Sequence, residues 1–312
     1  MSRIHEALKK AQEERSALEA ARGGAEPRAE VVEQRVHDTS AAAFEIPPVP
    51  EISTVPEEVP LAIPALLAGC RQLGWPTDSH QLVFSNDDIP VTGKEVFRTL
   101  RTRLYQIRAV QPLRIVLISS ALPAEGKTFM ISNLAQSIAR QRERRVLLID
   151  GDIRLSRLHE TLGAPCTPGL TDYLLGDADE QTVLQRGRAE NLYFIPGGRS
   201  VSNPTELLAN GKLETLLSRL GPAFDWILID SPPAIPVSDA TILAKYCDGV
   251  LLVVRAGSTP FDLAQKARNE FQNSHLIGVA LNGVAAGTGY GSYYYNSSYS
   301  GAEANGNKNG KH

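Results

Sequence analysis

The sequence LRIVLISSALPAEGKTF (residues 113–129) joins an apolar run to a short loop and to the start of a helix. Residues 115–118 are all aliphatic, which is typical of a strand buried on both faces of a sheet. Residues 121–128 fit the P-loop pattern A-x-x-x-x-G-K-T, in which backbone N–H groups and the positive helix N-terminus hold phosphates. The alternative is an ordinary strand–loop–helix turn, but the three parts occur here in the order that the pattern requires. The stretch therefore predicts a phosphate-binding loop.

Each residue of this loop has an expected role. In the P-loop pattern, Lys127 reaches the β- and γ-phosphates and the Thr128 hydroxyl ligates Mg²⁺. Ala124 stands where many such loops carry a second glycine, and its Cβ disfavours the positive φ angles that glycine adopts freely. We therefore expect the loop to close less readily than usual. The residues expected to contact the nucleotide here are Ala124, Glu125, Gly126, Lys127, Thr128 and Phe129.

Acidic residues end two further apolar runs. The first run ends in Asp150 and Asp152, and the second ends in Asp230. Ligands bind at the carboxyl ends of the strands in open parallel sheets, so we expect these carboxylates to lie beside Lys127 and Thr128. For any single acidic residue, a helix N-cap or a surface strand end is the simpler interpretation. Three strands ending in this way together indicate a Mg-nucleotide site.

The remaining apolar runs alternate with amphipathic ones. Strands are predicted at residues 191–195, 249–255 and 277–281. Helices are predicted from residue 203 through 217 and after residue 259, each with a side-chain cap and a proline at its first turn. This alternation predicts an α/β fold of the P-loop NTPase type, with a doubly wound and mostly parallel sheet.

The composition limits the class of protein. A chain of 312 residues with 42% hydrophobic content supports a sizeable core in one large domain or two smaller ones. A net charge of −3 and a pI of about 6.1 argue against a nucleic-acid binder. The three cysteines are scattered and the six histidines form no cluster, so neither disulfides nor zinc is expected. Since no segment has the length of a membrane span and the N-terminus lacks a signal-peptide core, we expect a cytoplasmic protein.

Four segments are predicted along the chain. Residues 1–22 are strong helix formers with a thin apolar stripe, which leaves open a partner-docking helix or a solvated one. Residues 23–90 are rich in Pro and Glu and predict an extended linker. Within it, residues 61–75 are apolar and either bind a partner or pack as a local helix on the main domain. Residues 91–286 form the predicted P-loop domain, and residues 287–312 form a flexible tail.

An amphipathic helix is predicted at residues 94–107. Glu95, Arg98 and Arg101 recur there at a spacing of three and lie along one flank, where ion pairs form. A solvated charged edge is the simpler interpretation of this flank. A contact between subunits is the alternative.

The C-terminal tail carries five of the nine tyrosines of the chain. It is rich in Gly, Ser and Asn and poor in aliphatic residues, so it cannot bury enough apolar surface to fold alone. A tyrosine-bearing tail next to a nucleotide site suggests that the tail is itself a substrate. A low-complexity terminus without chemistry is the alternative. The tyrosines are Tyr290, Tyr293, Tyr294, Tyr295 and Tyr299.

Several motifs of this chain occur together in one known family. They are the P-loop, I-D-G-D-I-R (149–154), I-D-S-P-P (229–233), E-x-x-R-x-x-R (95–101), N-P-x-E-L-L (203–208) and the tyrosine-rich end. Together they resemble the bacterial tyrosine autokinases of capsule and exopolysaccharide export, over roughly two thirds of the chain. The set is much more specific than any single member.

This resemblance implies an ATP-dependent kinase that phosphorylates its own C-terminal tyrosines and regulates exopolysaccharide synthesis. It implies Lys127 and Thr128 as phosphate and Mg²⁺ ligands, and Asp230 as a residue that holds Mg²⁺ through water. It also implies that Asp150 and Asp152 bind metal and activate the attacking phenol.

The resemblance further implies partners. Asn282 occupies a position similar to the base-contacting asparagine of related ATPases. The helix with Glu95, Arg98 and Arg101 resembles the ring-forming contact of the family, in which one subunit's tail enters its neighbour's site. Many relatives carry a fused membrane polysaccharide co-polymerase. This chain resembles the split form, in which a separate chain-length determinant activates the kinase and recruits it to the inner face of the plasma membrane.

Two departures from the family pattern bear on the rate of turnover. Ala124 replaces the glycine of P-G-E-G-K, and Leu155-Ser156 stands where relatives often have Arg-Pro. One alternative function is that of a chromosome-partitioning or division-site ATPase without kinase activity. Those proteins normally carry a lysine where this chain has Leu122. A nucleotide-sensing scaffold without turnover is a third possibility.

Overall fold

A mostly parallel sheet runs through the chain. The computed structural model describes residues 63–75, 82–85, 91–187 and 189–284. Its strands are β1 (Arg71–Gln72), β2 (Ile115–Ser120), β3 (Val146–Asp150), β4 (Gln185–Arg186), β5 (Leu192–Ile195), β6 (Trp226–Asp230), β7 (Gly249–Arg255) and β8 (Leu276–Asn282). Its helices are α1 (Ile63–Gly69), α2 (Val91–Val110), α3 (Lys127–Ala139), α4 (Leu158–Leu162), α5 (Leu170–Leu175), α6 (Glu180–Val183), α7 (Pro204–Leu208), α8 (Lys212–Leu220), α9 (Asp239–Ala244) and α10 (Phe261–Glu270).

The order of the strands brings the three predicted acidic and P-loop strands together. The order is β1-β4-β5-β3-β6-β2-β7-β8, and neighbours pair in parallel except β4 with β5. Strand β6 lies between β3 and β2, so the carboxyl ends of all three meet at one edge of the sheet. The predicted α/β fold with a mostly parallel sheet is confirmed.

Helices cover both faces of this sheet. Every residue of β3 and β6 is buried, because parallel strands in the middle of such a sheet have helices above and below. On one face, Val116 and Ile118 pack in a core with residues of α2 and α3. On the other face, Leu117 packs in a core with residues of α8 and α9. The fold is therefore doubly wound, as predicted.

The region after residue 203 differs from the prediction of one helix. The structure has α7 and α8 instead, separated at Gly211, whose φ of 82° lies in the left-handed region that a right-handed helix excludes. Asn203 is the N-cap residue of α7 and Pro204 follows it, as predicted, but the Asn203 side chain forms no capping hydrogen bond. The cap predicted at Thr259 is wrong, since Pro260 is the N-cap residue of α10. The Thr259 hydroxyl donates instead to the carboxylate of Glu125 in the P-loop.

The predicted linker extends too far toward the C-terminus. Trp75 is 4% exposed and meets Phe194 edge to face, with ring centroids 6.0 Å apart. The N–H of Val83 donates to Asn133 Oδ1 at 2.7 Å. Single apolar residues that fill gaps in an existing core leave no periodic pattern in the sequence, so the proline content alone indicated a linker here. The described parts of residues 63–85 belong to the folded domain, which fits the local-helix interpretation of this segment.

Other predicted segments lie outside the described residues. These are the N-terminal helix at residues 1–22 and the tail with its five tyrosines. Within the described ranges, none of the helices has both the length and the apolar content that crossing a membrane requires.

Candidate nucleotide and metal site

The P-loop connects the buried strand β2 to helix α3. Gly126 precedes the helix with a φ of 95°, and a Cβ there would lie 2.1 Å from the side-chain nitrogen of Asn282, so only glycine fits. Lys127 opens the helix and is 8% exposed, and its Nζ donates to Ser120 Oγ at 3.0 Å. Lys127 is thus held across the loop from the last residue of β2.

The middle of the loop holds an unusual backbone conformation. Ala124 has a φ of 62°, in the left-handed region that the sequence indicated to be unfavourable for alanine. The Glu125 side chain is buried and turns back into the loop, where its Oε2 accepts the N–H of Leu122 at 2.9 Å. The Phe129 ring packs against Phe97 of α2, with centroids 5.8 Å apart. The side chains of Glu125 and Phe129 are therefore engaged within the protein.

Two carboxylates meet at the ends of neighbouring strands. Asp150 and Asp230 are register partners in the β3–β6 pair, and both are buried. The Thr128 hydroxyl donates to Asp230 Oδ2 at 2.7 Å. Between the strands, the N–H of Gly151 donates to the Asp230 carbonyl at 2.9 Å, and a Cβ on Gly151 would lie 2.6 Å from that carbonyl oxygen. The glycine of the I-D-G-D motif is therefore required by close contact of two backbones.

Hydrogen bonds occupy both oxygens of Asp150. Its Oδ1 accepts the N–H of Asp152 at 3.2 Å, and its Oδ2 accepts the Ser156 hydroxyl at 2.7 Å and the N–H of Leu158 at 3.1 Å. Asp152 Oδ1 in turn accepts the N–H of Leu155 at 3.1 Å. Asp150 thus organises the loop that carries Asp152. The serine that departs from the family pattern supplies one of its contacts.

Burial and like charge raise the pKa values of these carboxyl groups. Burial first, and the charge of Asp230 second, raise the pKa of Asp150 to about 8. Burial also raises the pKa of Asp230, which the Lys127 charge and the Thr128 hydrogen bond partly offset. Burial raises the pKa of Asp152 as well, and the charge of Lys127 lowers it. The three carboxyl groups and Lys127 are therefore close enough to influence one another.

The site suits a cation that takes few protein ligands. Asp230 Oδ1 is buried and accepts no hydrogen bond from any described residue, so one carboxylate oxygen is left for a cation. Among the described residues, no group of three or more acidic, histidine or cysteine side chains is arranged to hold a metal ion. Mg²⁺ commonly binds through one or two protein ligands together with nucleotide phosphates and water. The donor set of Thr128 and Asp230 fits that ion.

The other predicted site residues lie in two places. Asn282 ends β8, and its Nδ2 donates to the Glu125 carbonyl at 2.9 Å. On helix α2, Arg98 forms an ion pair with Glu95. Arg101 donates to the Ser137 carbonyl of α3 at 2.5 Å. Of this charged flank, Arg101 is thus bound within the chain, whereas Glu95 and Arg98 are partly exposed.

Sequence reasoning missed an ion pair between Arg154, two residues after Asp152, and the buried Asp239. Arg154 donates from two nitrogens to the Asp239 carboxylate, at 2.6 and 3.1 Å, and Asp239 is fully buried. The Thr205 hydroxyl donates to the same carboxylate at 2.8 Å. Arg154 was visible in the I-D-G-D-I-R motif and Thr205 in N-P-x-E-L-L. No local pattern marked Asp239.

Several known proteins are similar to this chain in sequence and in structure. Residues 114–263 match the AAA domain family. Tyrosine-protein kinase YwqD of Bacillus subtilis (strain 168) is 34% identical over 193 residues, which cover 61% of this chain and 81% of YwqD. The kinase domain of Escherichia coli tyrosine kinase ETK matches in structure with a TM-score of 0.59 and 31% identity, over 63% of this chain and 77% of that one. The AAA match and the P-loop geometry together indicate a nucleotide-binding site.

The relatives differ in length. Tyrosine-protein kinase ptk of Acinetobacter johnsonii is 33% identical over 201 residues, which cover 64% of this chain but 26% of ptk. The chain thus spans about a quarter of that relative and most of YwqD.

Proposed function

This chain belongs to the bacterial tyrosine-protein kinase family, and we propose that it is an ATP-dependent kinase that phosphorylates tyrosines of its own C-terminal tail. The target residues are Tyr290, Tyr293, Tyr294, Tyr295 and Tyr299. The observation that carries the proposal is the buried Asp230 Oδ1, which accepts no hydrogen bond from the described part of the chain and belongs to the carboxylate that Thr128 contacts at the start of the P-loop helix. A nucleotide bound at this loop with its cation supplies what that oxygen lacks.

The chain's own residues position the nucleotide phosphates, the cation and the proposed base. Lys127 and the N–H groups at the start of α3 hold the β- and γ-phosphate oxygens. Thr128 and Asp230 hold Mg²⁺, which, when bound, neutralises charge that develops on the transferred phosphoryl group. Asp150 positions the loop of Asp152 through its hydrogen bond to the Asp152 N–H.

Asp152 is the proposed proton acceptor for the tyrosine. A phenol has a pKa of about 10, so it is a weak nucleophile at neutral pH without a base. The raised pKa of the Asp152 carboxyl makes it a better base than an exposed aspartate. The phenol proton passes to Asp152, and the phenol oxygen bonds to the γ-phosphorus. The bond from that phosphorus to the bridging oxygen of ADP breaks at the same time.

The proposal includes assembly and location. Glu95 and Arg98 form part of a contact between subunits, so that one subunit's tail reaches its neighbour's site in a ring. A membrane co-polymerase or chain-length determinant recruits the cytoplasmic kinase to the inner face of the plasma membrane and activates it. Phosphates on several tail tyrosines repel one another, since each adds about −1.5 to −2 charges. That repulsion releases the tail and loosens the ring, which regulates exopolysaccharide synthesis.

The test is incubation of the purified chain with ATP and Mg²⁺, followed by peptide mass spectrometry. We expect phosphate on the tail tyrosines, and chains with all five changed to phenylalanine lose it. Free phosphate without phosphotyrosine would instead identify an ATPase of the partitioning type. Neither product, with nucleotide still bound, would identify a scaffold.

Two lysine variants show whether the P-loop is the site that supports phosphorylation of the tail. Lys127→Ala removes the proposed phosphate ligand, and we expect it to abolish phosphorylation. Lys266→Ala removes an exposed lysine of α10 and serves as the matched control. Equal activity in the two variants would reject the P-loop as the site.

A further inference from the structure

The P-loop of this chain contains a residue in a conformation that its side chain disfavours. Among the described residues, Ala124 is the only one other than glycine with a positive φ, at 62°. The Cβ of an L-residue crowds the backbone in this region, so a flexible loop with alanine here favours other conformations. Contacts outside residue 124 must therefore hold the loop in this conformation.

Those contacts come from the carboxyl ends of the neighbouring strands β7 and β8. Arg255, the last residue of β7, donates from Nη1 to the Ala124 carbonyl at 3.0 Å. Asn282, the last residue of β8, donates from Nδ2 to the Glu125 carbonyl at 2.9 Å. Two consecutive carbonyls of the P-loop are thus held by side chains from neighbouring strand ends. We call Arg255 and Asn282 the loop latch.

The surrounding groups hold the latch itself in place. Thr259 Oγ1 accepts the backbone N–H of Arg255 at 3.1 Å and donates to the Glu125 carboxylate. That carboxylate is buried, and it also accepts the N–H of Leu122. The turn after β7 and the P-loop therefore share a connected set of hydrogen bonds on both sides of Ala124.

The latch acts on the carbonyls and leaves the nucleotide to the N–H groups. A P-loop binds phosphate through N–H groups that point inward, which requires its carbonyls to point away. We propose that Arg255 and Asn282 are positioning residues that fix this P-loop in its nucleotide-binding conformation, and that the loop depends on them because residue 124 is alanine. This inference rests on the proposed nucleotide site. It assigns Asn282 a role in addition to the base contact that the family resemblance implies.

The test is a double-mutant cycle between the latch and residue 124. Arg255→Met keeps the length of the side chain and removes its donors, and Ala124→Gly removes the Cβ that opposes the left-handed conformation. The affinity of each full-length protein for a fluorescent ADP analogue with Mg²⁺ is measured by titration. We expect Arg255→Met to weaken binding about tenfold when residue 124 is alanine, since a charge-assisted hydrogen bond is lost. When residue 124 is glycine, the same change is expected to weaken binding less than about twofold.

Other variants separate the latch from a direct contact with nucleotide. Arg255→Lys keeps a charged donor and is expected to retain most of the affinity. Asn282→Ala is expected to show the same dependence on residue 124 as Arg255→Met. Arg268→Met, which removes an exposed arginine of α10, is the matched control and should not change binding.

The outcomes are distinguishable from failure of the proposed function. If the unmodified chain does not bind the analogue, or if Lys127→Ala binds it equally well, the nucleotide site itself is wrong. If the unmodified chain binds and Arg255→Met loses the same affinity in both backgrounds, or in neither, the latch is wrong. Circular dichroism melting of each variant without nucleotide shows whether it is folded. Should Arg255→Met unfold, the Asn282→Ala cycle decides between the same outcomes.

Discussion

Asp150 and Asp230 lie side by side at the ends of strands β3 and β6 as register partners, and both carboxyl groups are buried. Two ionised carboxylates that are buried side by side repel each other and are poorly solvated. Ionising one of them therefore raises the free energy needed to ionise the other. When both groups are ionised, this arrangement therefore lowers the stability of the folded chain.

Replacing one member of this pair stabilises the nucleotide-free chain at alkaline pH. A carboxyl group whose pKa is higher in the folded state stabilises the fold at low pH, and this contribution is lost as the pH rises through the folded value. For Asp150 the window runs from its ordinary value of 3.8 to about 8. Asp230→Asn keeps an acceptor for the Thr128 hydroxyl and removes one charge. We expect it to raise the free energy of unfolding at pH 8 by on the order of 1 kcal/mol, and by less at pH 5.

Urea unfolding at the two pH values, without nucleotide or Mg²⁺, measures this difference. Phosphorylation by the same variant should be lost, because the proposed cation ligand is gone. A variant that is less stable than the unmodified chain at pH 8 would show that the pair does not carry the repulsion we infer.

The Thr128 hydroxyl is expected to make nucleotide affinity depend on Mg²⁺. Thr128→Val preserves the shape of the side chain and removes the hydroxyl, whereas Thr128→Ser preserves the hydroxyl. We expect valine to reduce the affinity for Mg-ADP by at least about tenfold while the affinity for ADP in EDTA changes little. Isothermal titration with and without EDTA checks this. Equal losses in both conditions would assign Thr128 to packing alone.

Arg154 is expected to affect the rate of phosphoryl transfer more than nucleotide binding. Its bond to the buried Asp239 fixes the segment that follows Asp152, and a small displacement of a reacting group slows transfer. Arg154→Gln should lower kcat by about 10- to 100-fold with KM for ATP nearly unchanged. Thr205→Val, which removes one contact to the same carboxylate, should give a smaller decrease. Initial rates of tail phosphorylation provide both constants, and a change confined to KM would contradict this role.

Trp75 is expected to stabilise the kinase domain although it lies in the predicted linker. Trp75→Ala leaves a cavity against Phe194 and should lower the free energy of unfolding by about 3 kcal/mol. Val110→Ala changes a residue that is 84% exposed and should shift it by no more than about 0.5 kcal/mol. Urea denaturation of the full chain compares the two. Equal free energies of unfolding for the two variants would show that Trp75 does not stabilise the folded domain and belongs to the linker.

Two arginines on the charged flank of α2 are expected to have different functions, Arg98 in the assembly of subunits and Arg101 in stability. Arg98→Glu places a like charge beside Glu95 on a partly exposed surface, so it should disrupt assembly of subunits with little effect on stability. Arg101→Ala removes the bond to the Ser137 carbonyl and should lower the free energy of unfolding by about 1 kcal/mol. Analytical ultracentrifugation and thermal melting measure the two effects. If Arg98→Glu sediments like the unmodified chain, the subunit contact lies elsewhere.

The sequence predicted those parts of the site that depend on local pattern. The P-loop motif sets the path from β2 into α3, and apolar strands ending in Asp150 and Asp230 place these two carboxylates side by side when the strands are parallel neighbours. The observed β3–β6 register satisfies this condition. One helix was predicted after residue 203 because the leucine pattern continues across residue 211. The single glycine at that position divides it into two helices.

Contacts between distant residues could not be predicted in this way. Arg154 and Asp239 are 85 residues apart, and Arg255 and Ala124 are 131 residues apart. Such pairs are brought together by the order of strands in the sheet, which no periodicity in the chain encodes. The sequence correctly marked Ala124 as unfavourable for the loop. Only the structure shows which side chains offset that disadvantage.

Asn282 connects the end of β8 to the P-loop, which lies 157 residues earlier in the sequence. It is the final residue of β8, so every residue toward the C-terminus is covalently attached through it, and its side chain holds the Glu125 carbonyl. Its own carbonyl accepts the N–H of Ala256, which follows β7, at 2.8 Å. The backbone of residue 282 thus fastens the edge of the sheet while its side chain fastens the P-loop, so a substitution there changes both at once.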